Sequence, residues 1–262
     1  MRLFAPRIEV MGSADAVAER AAHLVIATLR RTGVTTLGLA AGATMAPLYA
    51  RLVAANRAGE ISFRNAFSFN LDEYVGVAPK SPGSFRAFMQ RHLFEHIDIE
   101  PGRTHVPDGT ARNIVAEARR YEALIAAAGG IELQLLGIGA NGHVGFNGPG
   151  SDFASRTREV RLDEATRLGN TGHFPDRVSA PERAITMGIA TILEARGILL
   201  LATGAERAPA IAAAVEGPLT AACPASALRL HGSVQILCDE AAASGLGNRP
   251  GDGVRRRQGD RI

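Results

Sequence analysis

Residues 135–152 read L-L-G-I-G-A-N-G-H-V-G-F-N-G-P-G-S-D and continue the apolar run 132–136, which has the length of a buried strand. Gly137, Gly139 and Gly142 match G-x-G-x-x-G, the first half of the fingerprint of dinucleotide-binding loops. In those loops a helix begins at the third glycine and holds the pyrophosphate. Here glycine, asparagine and proline continue to position 150, and such a run does not form a helix. The pattern therefore predicts a strand that ends in an open loop and argues against a bound nucleotide.

His143 lies within this loop, between glycines at positions 142 and 145. Because such small neighbours leave an imidazole unburied, a role in chemistry is favoured over a role in packing the core. We expect His143 to take part in a reaction on a small polar ligand that the backbone amides of the loop surround.

Apolar runs of strand length alternate with amphipathic stretches of helix length along most of the chain. Strands are predicted at 35–40, 66–70, 132–136, 198–203 and 234–238, and helices at 13–31, 45–58, 84–96, 112–128 and 206–215. This alternation predicts an α/β fold: an open, doubly wound, mostly parallel sheet with helices on both faces, in a modified Rossmann-like arrangement. A single domain with a lid segment is expected over residues 1–240, followed by a flexible tail at 241–262 that is nearly devoid of apolar side chains.

The composition argues against several classes of function. The 262 residues carry a net charge of +3, scattered basic residues and no tryptophan, so nucleic acid is not an expected partner. No apolar run approaches the ~20 residues of a membrane span, and the N-terminus does not resemble a signal peptide. Cys223 and Cys238 are the only cysteines, which favours a cytoplasmic protein with reduced thiols. Lys80 is the only lysine and does not follow a glycine, which excludes a Walker-type loop.

Ligands of open α/β sheets bind beyond the carboxyl ends of the strands, where loops are predicted at 40–44, 71–74, 137–150 and 204–207. In the first loop, Ala41, Gly42, Ala43 and Thr44 offer backbone N–H groups and a hydroxyl to an anion at a helix N-terminus. A capped helix without a ligand explains the same residues. In the last loop, the Arg207 guanidinium either binds a phosphate or lies in solvent.

Asp72 follows the run 67–71, which is expected to be buried at the centre of the sheet. Partial desolvation raises the pKa of a carboxylate delivered to that edge, and a raised pKa suits a general base. The alternative is that Asp72 or Glu73 caps the following turn.

His92 and His96 belong to H-L-F-E-H, which matches the inverted zinc-protease motif H-x-x-E-H. The apolar residues around them follow the spacing of an ordinary amphipathic helix that carries its polar residues outside, and short motifs match often by chance. Neither a metal nor another cofactor is expected. A stoichiometric zinc in purified protein would contradict this interpretation.

Five motifs together resemble the glucosamine-6-phosphate deaminase (isomerase) family, part of a superfamily that also holds 6-phosphogluconolactonases. They are L-G-L-A-A-G-A-T at 37–44, F-N-L-D-E-Y-V-G at 69–76, G-I-G-A-N-G-H-V-G-F-N at 137–147, S-R-T-R at 155–158 and A-A-V-E-G at 213–217. The resemblance extends from residue 1 to about residue 240, and the second and third motifs look like the deaminase branch.

The resemblance implies an enzyme that converts an amino-sugar phosphate and water to fructose 6-phosphate and ammonia by isomerisation and deamination, without a metal or other cofactor. His143 would open the sugar ring, with Asn141 beside it, and Asp72 would move a proton from C2 to C1. The phosphate would lie on residues 41–44 and on Arg207, and Gly139 would contribute hydrogen-bond donors of the glycine-rich loop.

The chain departs from the family pattern at two positions. Family members commonly have F-N-E-P after the histidine, with a glutamate that orients the imidazole, where this chain has Gly148. If Gly148 is the main defect, Gly148→Glu should raise turnover by roughly 10²–10⁴-fold, and no gain would mean that another residue fills the role. An arginine that helps to bind phosphate is expected in the lid after residue 171, where this chain has Gly172.

Three hypotheses follow: a deaminase acting on a hexosamine 6-phosphate, a sugar-phosphate binding protein with weak or lost catalysis, and a sugar-phosphate lactonase or isomerase. The sequence leaves open whether the protein is a homo-oligomer.

Overall fold

Parallel strands form one central sheet in the computed structural model of the protein, which describes residues 2–31, 33–164, 167, 174, 181–247 and 255–256. In chain order the strands are β1 (Arg7–Met11), β2 (Thr35–Leu39), β3 (Ala66–Asn70), β4 (Asp72–Tyr74), β5 (Thr104–His105), β6 (Leu133–Gly137), β7 (Arg158–Arg161), β8 (Arg183–Thr186), β9 (Gly197–Ala202), β10 (Val234–Asp239) and β11 (Arg255–Arg256). The central sheet has the order β11-β1-β10-β9-β6-β2-β3-β5, and all of its neighbours pair in parallel. The predicted open, parallel α/β sheet is confirmed.

The order of this sheet reverses at β2. From β2 the chain proceeds to β3 and β5 on one side and then returns to β6, β9 and β10 on the other. Because consecutive connections leave β2 and β6 in opposite directions, a crevice opens between the loops at their carboxyl ends. The fold therefore predicts a ligand site between the loop after Leu39 and the loop after Gly137.

The helices are α1 (Ala14–Arg31), α2 (Ala46–Arg57), α3 (Phe85–His92), α4 (Ile114–Ala127), α5 (Ile189–Leu193), α6 (Ala208–Val215) and α7 (Glu240–Ala243). Apolar side chains recur at helical spacing along one face of α1, and this face is buried in the core, as Val17, Ala21 and Val25 show. All five residues of β2 are buried as well, as expected for a strand covered on both faces. Among the described residues, no helix is long and apolar enough to cross a membrane.

A second, antiparallel sheet of three strands, β4-β8-β7, was not predicted. Residues 71–74 were expected to be a loop, but Asp72–Tyr74 pair with β8, so that Asp72 lies opposite Thr186. Strand β8 lies more than a hundred residues later in the chain, and no local sequence pattern at 71–74 indicates such a distant partner. This sheet carries Asp72 on a buried strand rather than on a loop.

Two predicted helices are shorter than expected. The helix predicted over 84–96 ends at His92, since Leu93 has φ −142° and ψ −64°, and a separate 3₁₀ turn, Phe94–His96, follows. His92 and His96 are therefore not on one continuous helix. The helix predicted over 206–215 begins at Ala208 after a 3₁₀ turn, Ala205–Arg207.

The C-terminal segment is described in part. Residues 240–243 form α7, and β11 pairs in parallel with β1. The other residues after 247 lie outside the described ones, so the flexible tail at 241–262 stays a prediction. Gly172 also lies outside the described residues.

Candidate active site

A cavity of about 330 Å³ opens at the crevice between β2 and β6. Six of the nine predicted site residues line it: Ala41, Asp72, Gly139, Asn141, His143 and Arg207. They come from loops far apart in the chain and meet because parallel strands end at the same edge of the sheet. Gly42, Ala43 and Thr44 adjoin Ala41 along the chain but are not among the lining residues.

Asp72 is a buried carboxylate at the wall of this cavity, with 6% of its surface exposed. Burial raises its pKa to about 8, and the charge of neighbouring Glu73 adds to the effect. A carboxyl group with a pKa near neutrality exchanges protons in both directions under physiological conditions. The environment of Asp72 therefore suits a group that removes a proton and later returns it.

Glu73 has a structural role beside Asp72. Its carboxylate accepts hydrogen bonds from the Ser84 hydroxyl at 2.7 Å and from the backbone N–H groups of Tyr74, Phe85 and Arg86 at 2.9 to 3.1 Å. Three of these donors lie at the start of α3, so Glu73 caps that helix. The capping role weighed for Asp72 or Glu73 thus belongs to Glu73, and the Asp72 side chain faces the cavity.

The His143 imidazole is held by Asn141. The Asn141 Oδ1 atom lies 3.2 Å from the His143 backbone N–H and 2.7 Å from His143 Nδ1. Because the backbone N–H is always a donor, the shared atom acts as an acceptor, and Nδ1 must carry the proton. The Nε2 atom is then an acceptor. Burial lowers the pKa of His143, and the charge of Arg207 lowers it further, so the imidazole is neutral at pH 7 and ready to accept a proton.

Glycines allow the loop to approach both groups closely. The His143 ring packs so closely against Gly139 that a Cβ atom there would overlap ring atoms Cε1 and Nδ1. A Cβ atom at Gly145, which has φ +56°, would lie 3.3 Å from the Asp72 Oδ2 atom and 3.0 Å from Thr186 Oγ1. The loop that carries His143 therefore passes directly beside Asp72.

Asn147 fixes the far side of this loop. Its fully buried side chain donates to the carbonyls of Val144 at 2.9 Å and Met187 at 2.8 Å, and accepts from Arg158 at 2.8 Å. The Met187 N–H in turn donates to the Leu71 carbonyl at 2.7 Å. Since Leu71 precedes Asp72, the two halves of the site are tied through Met187.

The residues predicted to bind the phosphate, Arg207 and 41–44, are brought together less completely than Asp72 and His143. The Arg207 guanidinium lines the cavity at the start of α6 and lies 3.9 Å from Glu206, an exposed and weak ion pair. Near residues 41–44, Gly42 has φ +130°, and α2 begins only at Ala46, with no side-chain cap at Met45. The Thr44 hydroxyl therefore does not cap that helix.

The chain is similar to known proteins over most of its length. Residues 11–237 match the family model of glucosamine-6-phosphate isomerases/6-phosphogluconolactonase. A glucosamine-6-phosphate deaminase from Shewanella loihica is 52% identical over 243 residues, which cover 93% of this chain and 91% of that protein. A solved monomeric glucosamine-6-phosphate deaminase is 41% identical, with a TM-score of 0.89 over 91% of this chain and 99% of its own. A 6-phosphogluconolactonase from Trypanosoma brucei, 24% identical with a TM-score of 0.74 over 93% of this chain and 100% of its own, shares the fold.

Proposed function

Since the chain belongs to the family of glucosamine-6-phosphate isomerases and 6-phosphogluconolactonases, we propose that it is a glucosamine-6-phosphate deaminase, which converts glucosamine 6-phosphate and water to fructose 6-phosphate and ammonia. The observation that carries the proposal is the meeting of a buried carboxylate, Asp72, with a neutral imidazole, His143, in one cavity. We expect the protein to act in the cytoplasm, in amino-sugar catabolism.

The reaction begins with the closed sugar ring. The neutral His143 accepts the proton of the C1 hydroxyl at Nε2 and delivers it to the ring oxygen, which breaks the bond between that oxygen and C1. Asn141 holds the other nitrogen protonated, so that Nε2 is the atom that faces the transfer. The product is the open-chain aldehyde.

Asp72 then performs the isomerisation. The ionised carboxylate removes the proton from C2, which is acidic because it lies beside the C1 carbonyl, and the electron pair forms a C1–C2 double bond with charge on the C1 oxygen. Backbone N–H groups of the glycine-rich loop stabilise that charge. The C2 ammonium group gives a proton to the C1 oxygen, Asp72 returns its proton to C1, and the nitrogen lone pair forms an iminium at C2 as the C1–C2 double bond is lost. Water then adds to C2 and the C2–N bond breaks, which gives the ketone and releases the nitrogen as ammonium, the protonated form of ammonia.

The phosphate is assigned to Arg207 together with the backbone at 41–44. A guanidinium binds phosphate with two hydrogen bonds, and Arg207 is the arginine among the residues that line the cavity. Burial lowers the His143 pKa and the Arg207 charge lowers it further, so the cation that binds the phosphate also acts on the ring-opening group.

Replacing Arg207 with alanine is expected to raise KM for glucosamine 6-phosphate by roughly 10- to 100-fold, since a hydrogen-bonded charge pair contributes about 1.5–3 kcal/mol. Steady-state kinetics measure this change. Arg196→Ala is the matched control, because Arg196 is 71% exposed and pairs with Glu132. An unchanged KM in Arg207→Ala would remove Arg207 from the phosphate site.

Activity is expected to rise with pH through the pKa of Asp72, which burial and the Glu73 charge raise to about 8, because proton removal needs the ionised carboxylate. Glu73→Gln removes the second of these causes, so the acidic limb of the kcat/KM profile should move to lower pH. Comparing variant and parent on one substrate cancels the ionisation of its phosphate. A limb that stays in the same position would show that Glu73 does not act on the Asp72 titration.

The assay that tests the proposed function offers the purified protein glucosamine 6-phosphate, other hexosamine 6-phosphates and 6-phosphogluconolactone. One ammonia per fructose 6-phosphate is the expected result. Hydrolysis of the lactone without ammonia release would favour the lactonase branch instead, and calorimetric binding without turnover would favour a binding protein.

A further inference from the structure

The glycine-rich loop has an unfilled position at Gly148. This residue is partly exposed, and its backbone does not lie in the left-handed region that favours glycine. The nearest atom to a Cβ built there is Oδ2 of Asp163, at 3.9 Å. The space that a side chain at 148 would enter is thus bordered by a carboxylate from a different part of the chain.

Packing holds Asp163 next to the loop. Its neighbour Leu162 follows β7, donates its N–H to the Glu182 carbonyl at 2.7 Å, and is buried in a cluster with Tyr74, Phe85, Phe146 and Ala184. Phe146 lies two residues before Gly148. The segment before Asp163 and the segment before Gly148 are therefore anchored in the same apolar cluster, which fixes their separation.

Other acids near the site are engaged elsewhere. The Glu73 carboxylate caps α3. Asp152 accepts from the Ala154 N–H at 2.9 Å and acts electrostatically on Arg158. Within the part of the chain that the structure describes, burial has the largest effect on the His143 pKa and lowers it, the Arg207 charge lowers it further, and the Asp163 charge raises it.

From this arrangement, and on the basis of the proposed function, we infer that Asp163 is a positioning residue for His143, one that replaces a missing side chain at position 148 and stabilises the protonated imidazole during ring opening. The negative charge thus comes from a residue two positions after β7 instead of from the glycine-rich loop itself.

Asp163→Asn tests the effect of the Asp163 charge apart from the effect of its side-chain packing. Asparagine has nearly the same size and shape as aspartate, so this substitution removes the negative charge with the smallest change of side chain. Glu164→Gln is the matched control, since it removes one negative charge from the adjacent, exposed residue. NMR titration of the His143 imidazole in the free enzyme reads the effect directly and needs no catalytic activity.

We expect the His143 pKa to fall by roughly 0.3–1 unit in Asp163→Asn, a size typical of one charge that acts through partly screened protein, and to stay unchanged in Glu164→Gln. An unchanged pKa in Asp163→Asn would overturn the inference. Because the titration is made without substrate, this result stands apart from the deaminase assay.

A second variant tests whether Asp163 takes the role of a side chain at position 148. Gly148→Glu should raise kcat/KM clearly in the Asp163→Asn background, where it restores a missing carboxylate. In the parent the gain should be small, because the new glutamate would lie close to the Asp163 carboxylate. Equal gains in both backgrounds would contradict the inference, because they would mean that Asp163 and position 148 act independently. A gain near the 10²–10⁴-fold range in the parent would likewise show that the role is vacant there.

Discussion

Replacing Asp72 with asparagine is expected to lower kcat for glucosamine 6-phosphate by at least the roughly 10²–10⁴-fold that a positioned acid–base group contributes. The amide has the same shape and lines the same cavity, but it accepts no proton from C2. Substrate binding should change little, because Asp72 interacts most strongly in the transition state. Steady-state kinetics at saturating substrate measure the loss.

The same substitution is expected to stabilise the fold at alkaline pH. The folded pKa of Asp72 is about 8 and its ordinary value is 3.8, so the folded state retains a proton that the unfolded state has lost over that window. The free energy of unfolding of the parent therefore decreases as pH rises from about 4 to about 8. Asp72→Asn removes this dependence, so its melting temperature should exceed that of the parent at pH 8, with the difference vanishing near pH 4.

Asp98→Asn provides a control of opposite sign. Burial alone raises the Asp98 pKa, but hydrogen bonds from Ser62, Phe63 and Asn56 bring it below its ordinary value. Its ionised form stabilises the folded state above the unfolded pKa, so Asp98→Asn should lower the melting temperature at pH 8 and leave kcat unchanged. Normal turnover in Asp72→Asn, or a lower melting temperature at pH 8, would contradict the role of Asp72 as a buried base.

Replacing Gly139 with alanine is the second change with a large expected effect. The new methyl group would overlap Cε1 and Nδ1 of His143, so the ring must rotate and lose its hydrogen bond to Asn141 Oδ1. Misplacement of a reacting group by about 1 Å costs roughly 10²-fold in rate, and a fall of that size or more in kcat is expected.

Gly12→Ala is the control for this substitution, since a Cβ atom at Gly12 meets nothing within 4 Å. Kinetics and the NMR signal of His143 measure both variants. Full activity in Gly139→Ala would mean that the imidazole does not work from the position that it takes against Gly139.

The parallel sheet could be predicted because its strands, such as Gly197–Ala202, are continuous apolar runs between amphipathic helices. The prediction that Asp72 and His143 meet followed from the rule that parallel strands end at one edge. Both residues do line one cavity at that edge. Their catalytic roles stay predictions.

Features that depend on distant pairing could not be predicted. Strand β4 exists only because β8 pairs with it, and its three residues carry no period of their own. Asp163 belongs to no motif, and its proximity to Gly148 depends on the packing of Leu162 against Phe146. The sequence shows that position 148 lacks a side chain, but it does not show that the Asp163 carboxylate lies beside it. The Asn141 contact to His143, by contrast, spans two residues and is visible in the N-G-H motif once the loop is recognised.

The proposed reaction depends most on proton transfer from C2 to C1 by Asp72. The direct test incubates the parent and Asp72→Asn with glucosamine 6-phosphate in D₂O and follows ammonia release and the C1 signals of fructose 6-phosphate by NMR. With the parent we expect one ammonia per ketose and deuterium in a single stereochemical position at C1, because the Asp72 carboxyl group exchanges its proton with solvent. With Asp72→Asn we expect almost no product. Product formation by Asp72→Asn at the parent rate, with the same label at C1, would contradict it.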